Sequence, residues 1–319
     1  MKRAALATVT LLVGLAIVGI AQQNASEIEV LQVQGNVFLL TGAGGNVTVQ
    51  VGETGVLVVD TGVAEKGDRV VVAIRKLSDK PIQYVINTHM HPDHTGGNDT
   101  VRKAGLTYVG ANVTGNLKDA GVGAQVYAHD NVLQRMSVPT GQRAEIPFGS
   151  WPTETYRSGR KQLFFNGEAV EIIHEPAAHT DGDSLVFFRR SDVVSAGDIF
   201  VTTSYPFIDL ERGGSIQGEI DALNAILELS VVGPQDEGGT LIIPGHGRIS
   251  DQPDLLEYRD MVTIIRDRIQ SAIGKGMTLE QVKAAGLTKD YDGRYGAASG
   301  VGTADMFVEA VYKGLTAKK

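Results

Sequence analysis

The run Thr88-His89-Met90-His91-Pro92-Asp93-His94-Thr95-Gly96-Gly97 places three imidazoles and a carboxylate within six residues. A single loop histidine is ordinarily structural, but four ligating side chains packed this closely point to metal binding. The spacing divides them. Side chains at i and i+2 of an extended segment point the same way, so His89 and His91 can share one ion. Asp93 and His94, beyond the turn at Pro92, can face a second. The chain has no cysteine, which excludes thiolate zinc sites, iron–sulfur clusters, disulfides and cysteine nucleophiles. A metal here must be held by nitrogen and oxygen, a donor set that suits zinc and also iron or manganese.

Two ions need more ligands than the motif supplies. His179, Asp198 and His246 each stand at or just past the end of an expected strand, in loops that also contain Gly or Pro. In an α/β sheet such loops converge on one edge, where ligands bind. Asp60 ends another apolar run, Val56–Val59, and would present its carboxylate at the same edge. Of the two histidines outside this set, His129 and His174, the second reads as structural, and Tyr205 reads as a packing residue rather than an oxyanion donor.

The elements that must carry these side chains follow from apolar periodicity. Short runs between Glu27 and Gly62, separated by Gly or Asn, predict a β meander. Val47, Val49 and Val51 alternate with polar residues, which predicts one wet face; Val56–Val59 do not alternate, which predicts a strand buried on both sides. Glu65–Leu77 reads as a helix, Ile82–Asn87 as the buried strand feeding the histidine motif, and Asp99–Lys103 as a polar helix. Ala124–His129 reads as a short strand. Ser137–Arg160 shows no period and reads as a binding loop or lid. The second half repeats the order: strands at Gln162–Phe165, Ala169–His174, Ser184–Phe188 and Val193–Ala196, a helix at Gln217–Leu229, and a strand at Thr240–Ile243 leading to His246. Leu255, Tyr258, Val262, Ile265 and Ile269 make one apolar helical stripe. Thr278–Gln281 reads as a capping box and Thr303–Leu315 as a last helix. These C-terminal helices hold no histidine and are expected to pack outside the sheets.

The net charge of −8, from 37 acidic and 29 basic residues, argues against nucleic acid as a partner, since phosphate binding needs clustered Lys and Arg. At the N-terminus, Lys2-Arg3 precede an apolar run ending in Gly19-Ile20-Ala21. The pattern predicts a signal peptide over residues 1–21, hence export to the periplasm or beyond. An uncleaved anchor of roughly 18 residues is the alternative; with cleavage, no stable membrane association is expected. Residues 22–319 then read as a single domain, with a core over about 27–250 and a helical extension over about 251–319.

As an ordered set, His89-x-His91-x-Asp93-His94, His179, Asp198 and His246, with Asp60 ahead of them, resembles the five-motif signature of the metallo-β-lactamase superfamily. The resemblance runs from roughly Glu27 to Ser250, about 70% of the chain. It implies a four-layer αββα sandwich of two mixed β-sheets with a dinuclear site at one edge. It also implies that His89, His91 and His179 hold the first ion, that Asp93, His94 and His246 hold the second, and that Asp198 bridges them. Two zinc ions in this setting would supply a bridging hydroxide to attack a carbonyl, with Asp93 orienting it and passing on its proton and Asp60 fixing ligand orientation. The expected activity is hydrolysis of a small ester, lactone, thioester or amide. The lack of cysteine departs from β-lactamases that place a thiolate on the second ion, and Asp198 is instead similar to the ligand set of glyoxalase II and lactonases. Lactonases often carry a tyrosine three residues after the bridging aspartate, where this chain has Val201. β-Lactam hydrolysis is one alternative. An iron dioxygenase on the same fold is another, and a metal-binding protein without catalysis a third.

Overall fold

The computed structural model describes residues 27–106, 123–137, 146–231 and 239–317. The expected signal peptide lies outside these described residues. Strands β1 (Glu29–Gln34), β2 (Val37–Thr41), β3 (Val47–Val51) and β4 (Val56–Val59) form the expected antiparallel meander. Helix α1 (Gly67–Leu77), entered through a 3₁₀ turn at Ala64–Lys66, returns the chain to β5 (Ile82–Ile86), which pairs parallel with β4. Two short helices, α2 (Pro92–Thr95) and α3 (Asn98–Lys103), follow the histidine motif. Then come β6 (Gln125–His129), α4 (Asp130–Met136) and the edge strand β7 (Glu154–Tyr156), so that β1 to β7 make one seven-stranded mixed sheet in sequence order. The connection expected as a binding loop or lid is therefore partly sheet. Its Trp151 donates an indole hydrogen bond to Ile146 O (2.9 Å) and packs beside Met90 and Met136.

A second, five-stranded sheet has the order β12-β11-β10-β9-β8. It consists of β8 (Arg160–Phe165), β9 (Glu168–Glu175), β10 (Asp183–Phe188), β11 (Val193–Ser195) and β12 (Leu241–Ile243), the last parallel to β11. Helix α5 (Ile216–Leu229) lies between β11 and β12 in the chain, its first turn capped by Ser215, whose hydroxyl accepts from Gly218 N. After β12 come α6 (Gln252–Gly274), α7 (Leu279–Ala284), α8 (Asp292–Tyr295) and α9 (Ala304–Thr316). Their starts are explained by side-chain caps: Asp251 for α6, the Thr278–Gln281 box for α7 and Thr303 for α9, each contributing about 1 kcal/mol. No helix among the described residues is long and apolar enough to cross a membrane.

Three apolar clusters establish the layers. Val70, Ile74 and Val101 from α1 and α3 pack on one face of the first sheet with Val56 and Val58. Leu57 and Val59, pointing the other way, meet Ile172, Val186 and Phe188 of the second sheet. Ala178, Leu185 and Val194 meet Leu223 of α5, the Leu255-to-Ile269 stripe of α6, and Phe307 of α9. The order is helix, sheet, sheet, helix. β4 is thus buried on both faces, as its unbroken apolar run requires, each side chain contributing roughly 1.5–3 kcal/mol.

The alternation in β3 has a different meaning from the one expected. Thr48 and Gln50 are fully buried rather than facing water, because the second sheet covers them and supplies partners. Thr48 Oγ1 donates to Ser195 Oγ (3.0 Å) and Gln50 Nε2 to Glu168 Oε1 (2.6 Å). Glu168 also accepts from Ser191 Oγ and from the amides of Arg190 and Ser191. Satisfied in this way, polar groups in a dry interface cost little.

Candidate metal centre

Every motif residue leaves a strand at the same edge. His89 and His91 follow β5, and the helix α2 that starts at Pro92 turns Asp93 and His94 back over the edge. His179 lies between β9 and β10, Asp198 just after β11 and His246 just after β12. Gly245 lets the last of these loops reach the third. A methyl group at this position would overlap the Asp198 carboxylate and the Gly197 backbone, and Gly245 N donates to both Gly197 O and Phe200 O.

Seven side chains converge. Candidate ligand atoms of His89, His91 and His179 lie within 4.8 Å of one another, as do those of His89, His94 and Asp198, and those of Asp93, His94 and His246. His94 Nε2 lies 3.2 Å from Asp198 Oδ1 and 3.7 Å from Asp93 Oδ2, and His246 Nε2 lies 3.1 Å from Asp93 Oδ2 and 3.5 Å from Asp198 Oδ1. Asp198 touches both halves of the cluster, since its Oδ2 is 3.9 Å from His179 Nε2.

The outward nitrogens decide which lone pairs point inward. Asp60, held at φ 60° at the end of β4, accepts from Thr88 N (2.8 Å) on Oδ1. Its Oδ2 accepts from Thr88 Oγ1 (2.7 Å) and from His94 Nδ1 (2.8 Å). The Thr88 hydroxyl proton is thereby committed to Asp60, so its oxygen accepts from His89 Nδ1 at 3.0 Å. One carboxylate thus fixes His94 directly and His89 through a relay. His91 Nε2 donates to Asp209 Oδ2 (3.0 Å) and His179 Nδ1 to Phe207 O. In its neutral form each of these four rings keeps an unprotonated nitrogen aimed at the centre.

This arrangement fits a cation. His91 Nδ1 and His179 Nε2 stand 2.9 Å apart, lone pair to lone pair, a repulsive contact that a positive charge between them relieves. His89 Nε2 is buried without a hydrogen-bond partner, which costs about 1–3 kcal/mol unless a ligand takes it. Burial, and then His94 and His179, hold His89 well below the usual imidazole range; burial brings His179 down to about 4. For His94 and His246 burial also opposes charge, but Asp198, aided by Asp60 and Asp93 respectively, outweighs it and raises both, His246 to about 9. Burial opposes the charge on Asp198 as well, and His94 and His246 overcome it and keep the carboxylate ionised. Buried carboxylates that draw protons onto neighbouring imidazoles mark a place built for positive charge.

His129 and His174 take no part. Their rings stack on each other at 3.5 Å, and His174 Nε2 bonds Asp181 O. Tyr205 is buried and packs as expected, its hydroxyl donating to Thr288 O and Asp292 Oδ1. Asp209, Thr88 and Phe207 were not singled out in the sequence. A cavity of about 490 Å³ opens over the centre, with Asp93, Asp198, His91 and His246 on its floor. The rest of its lining is Pro92, Val201, Thr203, Ser204, Phe207 and, from the stretch between α8 and α9, Ala297 and Val301.

A family model described as the metallo-beta-lactamase superfamily matches residues 40–246, about two thirds of the chain. The linear primary-alkylsulfatase of Pseudomonas sp. (strain ATCC 19151) is 24% identical over 255 residues, covering 72% of this chain and 47% of that protein. Among solved structures, the stereoselective inverting sec-alkylsulfatase Pisa1 from Pseudomonas sp. superposes with a TM-score of 0.63 at 17% identity, over 90% of this chain and 50% of that one. DIM-1 metallo-beta-lactamase superposes with a TM-score of 0.53 at 17% identity, over 74% of this chain and 97% of that one. The chain spans about half the length of the alkylsulfatases it matches.

Proposed function

This chain belongs to the metallo-beta-lactamase superfamily, and from that premise we propose a dinuclear, zinc-dependent hydrolase acting on a small carboxylic ester, lactone, thioester or amide. The observation that carries the reading is the facing pair His91 Nδ1 and His179 Nε2, 2.9 Å apart, beside the unpartnered His89 Nε2. His89, His91 and His179 would hold one ion, Asp93, His94 and His246 the other, with Asp198 between them. When bound, such a pair of ions polarises a carbonyl oxygen and makes water a nucleophile near neutral pH.

The protein's own groups do the rest. Asp93 reaches the cavity floor with its carboxylate about one third exposed (37%) and 3.1 Å from His246 Nε2, placed to take a proton from attacking water and hand it to the leaving group. Interaction with His246 overcomes the burial penalty and keeps its pKa below the ordinary value, so the base is ready at neutral pH. Asp60 and Asp209 hold His94 and His91 in the tautomers described. Pro92, Val201, Phe207, Ala297 and Val301 offer apolar surface to an acyl group. The N-terminal apolar run supports action outside the cytoplasm.

Sulfate-ester hydrolysis is the second reading, favoured by the alkylsulfatase matches. Against it, no Lys or Arg lines the cavity among the described residues. A β-lactamase activity draws on the likeness to DIM-1, and a mononuclear iron dioxygenase would leave several of the converging donors unused. Metal analysis with a substrate screen separates these. The expected result is about two zinc per chain and chelator-sensitive hydrolysis of neutral esters; one iron per chain with oxygen consumption would overturn the proposal.

A further inference from the structure

The C-terminal helices hold no ligand, yet the stretch between them reaches the site. Tyr205, seven residues after Asp198, ties the two together: its amide donates to Tyr295 O (2.8 Å), its hydroxyl to Thr288 O and Asp292 Oδ1, and its ring stacks on Phe307 of α9 at 5.3 Å. Residues 296–303 are therefore a span fixed at both ends by buried aromatics, Tyr295 and Phe307. Gly302, at φ 78°, lies so close to Ser204 that a methyl group there would overlap its hydroxyl. This close seating places Ala297 and Val301 in the cavity lining. Val301 is 60% exposed, an apolar side chain left largely in water beside the cavity it lines.

Among the described residues, no Lys or Arg lines the cavity. Arg248, two residues past His246, is turned away into a two-pronged pair with Asp254 at 2.6 and 2.7 Å. Ser204 Oγ is spent on Tyr205 O. We infer that the 296–303 span determines specificity, and that Ala297 and Val301 select uncharged substrates with an apolar acyl chain while disfavouring those whose acyl chain carries an anionic group. This rests on the hydrolase reading above and deepens it by naming the substrate class.

The test uses the zinc-loaded full chain and p-nitrophenyl esters of acetate through octanoate, with the p-nitrophenyl hemiester of glutarate as an anionic match. In the wild type, kcat/KM should rise about threefold to fourfold per methylene until the cavity fills, and the hemiester should run at least about tenfold below the pentanoate of equal chain length. V301K, at an exposed position where folding is little affected, should narrow that gap by about tenfold or more. A297W should shorten the preferred chain. Displacement of bound Nile red by neutral alkanamides reads the same preference without turnover and should weaken in V301K. Length-dependent displacement without hydrolysis of any ester would overturn the hydrolase reading and leave this inference standing. Hydrolysis or displacement indifferent to chain length, or unchanged in both variants, would overturn the inference alone.

Discussion

Replacing Asp60 by Asn should cost the second ion far more than the first. The carboxylate accepts three hydrogen bonds, from Thr88 N, Thr88 Oγ1 and His94 Nδ1, all between 2.7 and 2.8 Å. Asparagine has the same shape but only one acceptor oxygen. With that oxygen toward Thr88 N, the amide donors face His94 Nδ1. His94 must then move its proton to Nε2, the nitrogen aimed at Asp198 and His246, and it ceases to be a ligand. With the amide flipped, His94 keeps its tautomer, but two N–H groups confront each other at Thr88, an unsatisfied buried contact worth about 1–3 kcal/mol. Loss of such an outer partner typically weakens metal binding by about 10–100-fold, or about 1.4–2.8 kcal/mol. Zinc competition against a chromophoric chelator should show one ion weakened by that factor and the other, proposed above to lie on His89, His91 and His179, weakened less, since His89 feels Asp60 only through Thr88. The metal-free variant should also be less stable by roughly 1–3 kcal/mol in denaturant melts. Wild-type affinity for both ions in D60N would refute the account of ligand orientation.

Other perturbations probe separate parts of the molecule. D93A should lower kcat by about 10²–10⁴ while mass spectrometry under native conditions still finds the first ion; full activity would remove Asp93 from the mechanism. G245A forces a methyl group against Asp198, so zinc affinity should drop about tenfold or more and stability by about 1–3 kcal/mol; an unchanged zinc titration would contradict the close approach. Glu175, at the end of β9, is held up at about 7, chiefly by burial and then by Asp221. A carboxyl that keeps its proton more tightly when folded stabilises below its unfolded pKa near 4.5, and that contribution is lost as pH rises toward 7. The shift corresponds to about 3 kcal/mol at most and, for this partly exposed group, to about 1–2 kcal/mol after screening. E175Q should match the wild type in melting temperature near pH 4.5 and exceed it at pH 8, and equal melting at both would show that the proton is not held.

The ligand cluster was legible because its spacing is local and because strand ends can be read from apolar runs. The four-layer sandwich came from the family resemblance; β4, apolar at every position, demands cover on both sides but does not by itself say what supplies it. Asp209 was not legible, since it meets His91 across 118 positions of sequence from a loop with no period. Thr88 stood inside the motif, and a hydroxyl beside a ligating histidine is a signal that reading for metal donors passes over. In β3 the pattern Val-Thr-Val-Gln-Val is the same whether the polar side chains meet water or another sheet. Only packing distinguishes the two. Ala297 and Val301 carry no chemical signature, and their importance comes from where Tyr205 ties down the neighbouring helices.

Those polar contacts between the sheets have a further consequence. Apolar side chains tolerate sliding past one another, but Thr48 meets Ser195, and Gln50 meets Glu168, at one relative position only. A shift of either sheet by a residue would strand several buried donors and acceptors, each at about 1–3 kcal/mol. The contacts therefore act as a registration key. His89 and His246, which follow strands of different sheets and lie more than 150 residues apart, are brought to a common centre partly by a lock set inside the sandwich, so the precision of the candidate metal centre can be damaged by mutations that touch none of its residues.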